Sequence, residues 1–258
     1  MRGVLLVAIA SAACFGVVHV GVAHAAPPCG TITSSTTLSS DCAAPLTVGA
    51  SGITVNLGGH SVVCSGAPGE TGIDVGSSSD VLIENGAASH CEEGVLADGG
   101  DFNRYVALSL TNNNVGFEVS NSLSSAILRS QVNNSPFTGV LLFQTSGFLV
   151  YRNTVLNSNT GIFDNGGTNN VILANTASYG VGISDVGILL NAQSDVVLHN
   201  STVGNDTGIW VSATLGGNRL LANTSIQNTL DMRDDAAGCD SNIWKVNNFI
   251  TANQPCIH

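Results

Sequence analysis

Residues 194–210 read SDVVLHNSTVGNDTGIW, and residues 169–183 read NNVILANTASYGVGI. Each stretch carries a polar turn, three aliphatic residues, Asn, small polar residues, and then Gly with an aliphatic. The same phrase recurs along most of the chain. Glycines that precede an aliphatic triplet stand at Gly72, Gly94, Gly116, Gly139, Gly161, Gly187 and Gly208, separated by 22, 22, 23, 22, 26 and 21 residues. A further step of 22 lands on Leu230-Asp231-Met232. A helical repeat of this length needs long runs of helix formers, whereas Asn, Ser, Thr, Gly, Val and Ile dominate here, which suit short strands and turns.

A leucine-rich repeat would need regularly placed leucines in every repeat, and the chain lacks them. What remains is an all-β coil of short strands that climbs one strand spacing, about 4.8 Å, per turn. The reading is a single parallel β-helix of about eight to nine coils of roughly 22 residues, capped at both ends. A second column fixes the register: Asn85, Ser130, Asn153, Asn175, Asn200 and Asn223 each follow an aliphatic triplet. Stacked amides bond along the coil axis and to turn backbone, so this column is expected to be an internal structural ladder. The 26-residue step places an insertion near Ser178 to Ser184.

On these residues, over approximately 45–235, the chain resembles the right-handed parallel β-helix repeat proteins. That superfamily contains pectate lyases, polygalacturonases, alginate epimerases and NosD-like periplasmic proteins. Ile53-Thr54-Val55-Asn56-Leu57-Gly58-Gly59-His60-Ser61-Val62 is similar to its first-coil segment. Right-handedness is implied by the resemblance, not by the period. The expected division is a signal peptide at 1–25, an N-terminal cap at 26–50, the β-helix at 51–235 and a C-terminal cap at 236–258.

Arg2, an apolar run from Val4 to Val22 and the small-residue site Ala23-His24-Ala25 read as a cleaved leader, hence a secreted or periplasmic protein. No later stretch is long and apolar enough to span a bilayer as a helix. Without Cys14 six cysteines remain, an even set that suits an oxidising compartment. Their clustering at the two ends favours Cys29–Cys42 and Cys239–Cys256, leaving Cys64–Cys91. The formal net charge is −11, and the few basic residues are scattered singly, which argues against nucleic acid and anionic membranes.

Alternation along each strand turns Leu141, Phe163, Leu189 and Trp210 outward as an apolar row, the best candidate binding surface, with Asp231 expected to follow Trp210. A competing expectation is that residues 243–250 lie across this row as a cap. Two residues before each glycine, a turn column includes Glu70, Glu92, Asp185 and Asp206; it reads as side chains bonded to their own turn backbone, or as a strip on adjacent coils that binds Ca²⁺. No other cofactor is implied. Arg129 and Arg152, before the Asn column and with His199 further along, are the basic residues a Ca²⁺-assisted polysaccharide lyase would use.

The superfamily's enzyme signatures mostly do not carry over. The D-P-H-D motif of the epimerases is absent. Of the polygalacturonase segments only Asp234-Asp235 and Gly59-His60 are present, at opposite ends of the stack. Histidine and methionine are few and do not cluster, which gives a copper role little support. The leading expectation is an exported binding or structural module with polysaccharide or a cell-surface component as partner. The alternative is a small pectate-lyase-like enzyme acting on acidic polysaccharide.

Overall fold

The structure, a computed structural model, describes residues 28–182, 184–212 and 216–258, so the expected leader lies outside the described residues. Apart from a 3-10 turn at Ala237–Cys239, the regular structure is all strand. The chain winds as a parallel β-solenoid of about nine turns, and each full turn contributes three strand segments. The all-β parallel coil read from the spacing is therefore the architecture found.

The three segments stack into sheets called here A, B and C in the order that each repeat begins. In sheet A the inward residues Ile73, Val95, Phe117, Val140, Ile162, Ile188, Ile209 and Met232 lie in register, one per turn. Sheet B stacks Ile83, Tyr105, Ile127, Val150, Ile172, Val197, Leu220 and Trp244 in the same way. Sheet C stacks Ala88, Leu110, Val132, Val155 and Ala177. Nearly all of these side chains are fully buried. Because neighbouring turns differ by one strand spacing, like residues touch like, and the core is a set of aliphatic columns.

The corner from sheet B to sheet C explains the Asn column. Asn85, Ala107, Arg129, Arg152, Ala174, His199, Ala222 and Val246 all adopt φ between 51° and 58°, so eight successive turns round this corner through one left-handed residue. The next residue points inward and forms the ladder. Asn175 Oδ1 accepts from the N–H of Asn153 at 2.8 Å and from Asn153 Nδ2 at 3.1 Å. Its own Nδ2 donates to Val150 O at 2.9 Å and to Asn200 Oδ1 at 3.0 Å. Asn200 and Asn223 repeat the pattern, which ends on Asn247. Asn85 is not part of it. It occupies the left-handed corner, and Gly86 stands at the ladder level, paired with Leu108.

Both terminal segments wind as further turns. Pro28–Ile32 pairs with Cys42–Val48, and Thr36–Thr37 with Thr54–Asn56. At the other end Ile243–Lys245 pairs with Arg219–Leu221, and bridges join Thr224 to Asn248 and Met232 to Ala252. Residues 243–250 thus extend the stack rather than cover the apolar row, because Trp244 takes the core position above Leu220 and is 1% exposed. Disulfides join Cys29 to Cys42, Cys64 to Cys91 and Cys239 to Cys256. The extra residues of the long repeat form the loop between Thr176–Ser178 and Val186–Gln193, which exposes Tyr179 and Val181.

Candidate functional site

Sheet A carries the expected outward row. Leu141 pairs with Phe163, Phe163 with Leu189, and Leu189 with Trp210, and all four are partly exposed. The next residue in register is Arg233, not Asp231. The step from Gly208 is 23 residues rather than 22, so Met232 fills the core and Asp231 takes the glycine level, where it is 1% exposed. Arg233 lies 4.0 Å over the indole of Trp210 and is paired with Asp235, which also accepts from Trp210 Nε1 at 3.0 Å. One face of the indole is therefore occupied, and Trp210 closes the end of the row.

Two residues further along the same strands runs a second outward row that the period alone did not single out. Phe143 pairs with Asn165 and Asn165 with Asn191. Asn191 Nδ2 donates to Asn165 Oδ1, and Ser212 Oγ donates to Asn191 Oδ1, each at 2.9 Å. An apolar row beside an amide and hydroxyl row makes an amphipathic strip along the coil axis. At its N-terminal end the face turns acidic with Asp74 and Glu118. Partial burial, and then the nearby Glu93 and Asp98, push the Glu118 carboxyl up.

Behind the strip lies an acid pair. Asp164 occupies an inward position between Leu142 and Leu190, where the repeat calls for an aliphatic. Asp195 stands in a second internal ladder, accepting from the N–H of Asn170 and donating its own N–H to Asn218 Oδ1. Asn170 Nδ2 also donates to Asp164 Oδ2 at 2.8 Å. Both aspartates are 0% exposed, and Asp164 Oδ1 and Asp195 Oδ2 make no hydrogen bond of good geometry. Neighbouring buried carboxyls favour sharing one proton over ionising together, and such a proton would serve both oxygens. Burial pushes both groups up, and the neighbouring Asp164 raises Asp195 further. The sequence signal was the Asp that interrupts the triplet Gly161-Ile162-Phe163.

The turn carboxylates do lie on adjacent turns, but backbone and side-chain donors occupy them. Glu70 accepts from Ser65 Oγ and N–H, which holds its carboxyl below the usual range. Glu92 accepts from Asn114 Nδ2 at 2.7 Å. Asp185 Oδ1 accepts from the N–H of Asp206, and Asp206 Oδ2 from that of Ser184. Among the described residues no group of three or more His, Cys, Asp and Glu side chains comes together. Arg129 and Arg152 are exposed at the corner between sheets B and C, while Asp185 and Asp206 precede the sheet A strands. Strands of sheet C separate the two sets, so they do not face one groove.

The fold is that of a parallel β-helix with an amphipathic outward strip on sheet A and no assembled catalytic constellation among the described residues. Residues 53–254 match the sequence profile of the family described as periplasmic copper-binding protein (NosD). The chain belongs to that family, which is right-handed and periplasmic. Among curated proteins there is no significant match. Solved structures of similar fold include a double mutant of the periplasmic alginate epimerase AlgG, at 11% identity over 79% of this chain and 60% of that one, TM-score 0.48. Others are the Dettilon tailspike protein, at 12% identity over 87% and 61% with TM-score 0.48, and PfbA, a surface adhesin of Streptococcus pneumoniae, at 10% identity over 88% and 72% with TM-score 0.39. The chain spans about 60% of the length of the epimerase and tailspike chains.

The family description names copper, and the donors present here do not suit it. Copper sites need converging imidazole, thiolate or thioether ligands. The six described cysteines are consumed in disulfides, Met232 is buried in the core, and His60, His90, His199 and His258 lie on separate turns. No chemical step is therefore assigned to the metal.

Proposed function

We propose that the protein is an extracytoplasmic binding module whose ligand is a polysaccharide chain lying along sheet A. The observation that carries this reading is the amphipathic strip, in which Leu141, Phe163 and Leu189 run beside Phe143, Asn165 and Asn191 on adjacent turns. Sugars present apolar C–H faces and polar hydroxyl edges, and partly exposed aromatic and amide side chains in register meet both. A rigid sheet supplies these groups without ordering loops on binding, which keeps the entropic cost low. The uncharged centre of the strip favours a neutral polymer over a uronate.

Calorimetric titration of the exported protein with neutral and acidic oligosaccharides tests this. Binding of a neutral oligosaccharide is expected, weakened about tenfold by Phe163→Ala, which removes roughly 1–2 kcal/mol of stacking contact. Affinity unchanged in Phe163→Ala and Asn165→Ala, with both variants folded, would overturn the reading.

A further inference from the structure

Basic residues that are scattered along the sequence are gathered by the turn of the coil. Five of the seven Lys and Arg residues, Arg104, Arg129, Arg152, Arg219 and Lys245, lie on the outward face of sheet B or at its corner, and all five are exposed. The centre of the same face is apolar. Leu149 and Tyr151 pair with Val171 and Leu173, which pair with Val196 and Leu198, and all six side chains are partly exposed. Arg104 precedes and Arg219 follows the apolar stretch of the first outward column, with Ile243 one turn beyond Arg219; Lys245 ends the second, and Arg129 and Arg152 flank them. From the turn of Ala126 to that of Ile243 the plate runs about 24 Å at one strand spacing per turn. The acids of this region stand at its margins: Glu84 two turns before the strand of Ala126, and Asp80, Asp101 and Asp240 ahead of the sheet B strands at the opposite corner.

We propose that this face docks the protein on a lipid surface carrying anionic headgroups. The plate offers almost no hydrogen-bonding side chain apart from the Tyr151 hydroxyl, so its partner is apolar and featureless at the centre. The rim is cationic at both ends and along one side, so the partner is anionic around that centre. A bilayer boundary has this layout, with acyl chains beneath charged headgroups, and a rigid flat sheet can rest on it without rearrangement. In a chain of net charge −11, this face gathers five of the six Lys and Arg side chains among the described residues, so it is the face that an anionic surface would attract. A second copy placed face to face would bring the same arginines together, which opposes self-association. The inference is independent of the sugar-binding reading, since sheet A is a separate face.

Vesicle flotation with the full exported protein tests it, using phosphatidylcholine alone and phosphatidylcholine mixed with phosphatidylglycerol. Binding is expected only to the mixed vesicles and to fall with added salt. The double variant Arg129→Glu, Arg152→Glu should lower the partition by about tenfold or more. Leu173→Ser with Leu198→Ser should weaken it without changing the melting temperature appreciably, because both side chains point outward. Equal binding to neutral and anionic vesicles, no binding to either, or retention of full binding by the arginine variant would overturn the proposal. So would light scattering that reveals a dimer dissociated by the leucine substitutions.

Discussion

Asp164 sits in a column whose neighbours are Leu142 and Leu190, and among the described residues no basic side chain pairs with it, so its burial favours a proton held between it and Asp195. That makes the pair a source of pH dependence with a definite sign. The Asp195 carboxyl is pushed up to about 8, whereas an unfolded Asp titrates at about 3.9. Between those values the native state holds more protons than the unfolded one. The stabilisation is therefore complete below the unfolded value and is lost as pH rises through the folded value, at up to about 1.4 kcal/mol per pH unit. Calorimetric melting temperatures should fall from pH 5 to pH 9. Asp195→Asn, which matches the flanking Asn170 and Asn218, should flatten that slope and raise the melting temperature at the alkaline end; an unchanged slope in the variant would refute the shared proton. The amide ladder gives a second residue-level expectation. Asn175→Ala leaves the buried N–H of Asn153 without an acceptor and should cost about 2–4 kcal/mol in denaturant unfolding. A loss below 1 kcal/mol would mean that water replaces the ladder.

At the level of single elements, the strand Ile243–Lys245 covers the core of the turn beneath it. Trp244 fills the last sheet B position and donates to Asp234 Oδ2 at 2.8 Å, and Asp234 also accepts from Asn242 Nδ2. Trp244→Ala should cost about 3–5 kcal/mol, and hydrogen exchange should rise first at residues 219–226 beneath it. Uniform exchange along the whole chain would contradict a turn-by-turn stack. The turn itself was hidden in the sequence, since Ile243-Trp244-Lys245 lacks the aliphatic triplet of the inner repeats. Elsewhere the repeat was legible because Gly and the aliphatics return at near-constant spacing, and that spacing alone sets strand pairing. What it could not resolve were single-residue slips. One extra residue after Gly208 moved Arg233 into the outward row in place of Asp231. An Asn suits a left-handed corner as well as a ladder, so Asn85 read as the wrong one. For the carboxylates at Asp185 and Asp206 the turn reading, bonded to backbone, stands beside the cation reading, and a backbone N–H does occupy each.

The whole molecule presents different chemistry on its sheets because each column is one sequence position repeated turn after turn. Sheet A carries an acidic end, an amphipathic middle and the Trp210–Arg233–Asp235 cluster. Sheet B carries an apolar plate with most of the positive charge. Such segregation was not visible in the linear sequence, where Arg104, Arg129, Arg152 and Arg219 stand isolated; turns of 22 to 25 residues bring them to one side. The central claim, that a polysaccharide lies along sheet A, is met most directly by amide NMR of the labelled protein titrated with the neutral oligosaccharide that binds best by calorimetry. Shifts confined to residues 141–143, 163–165 and 189–191, moving together to saturation, are the predicted result. Shifts centred on residues 149–151, 171–173 and 196–198, or none at saturating sugar, would contradict it.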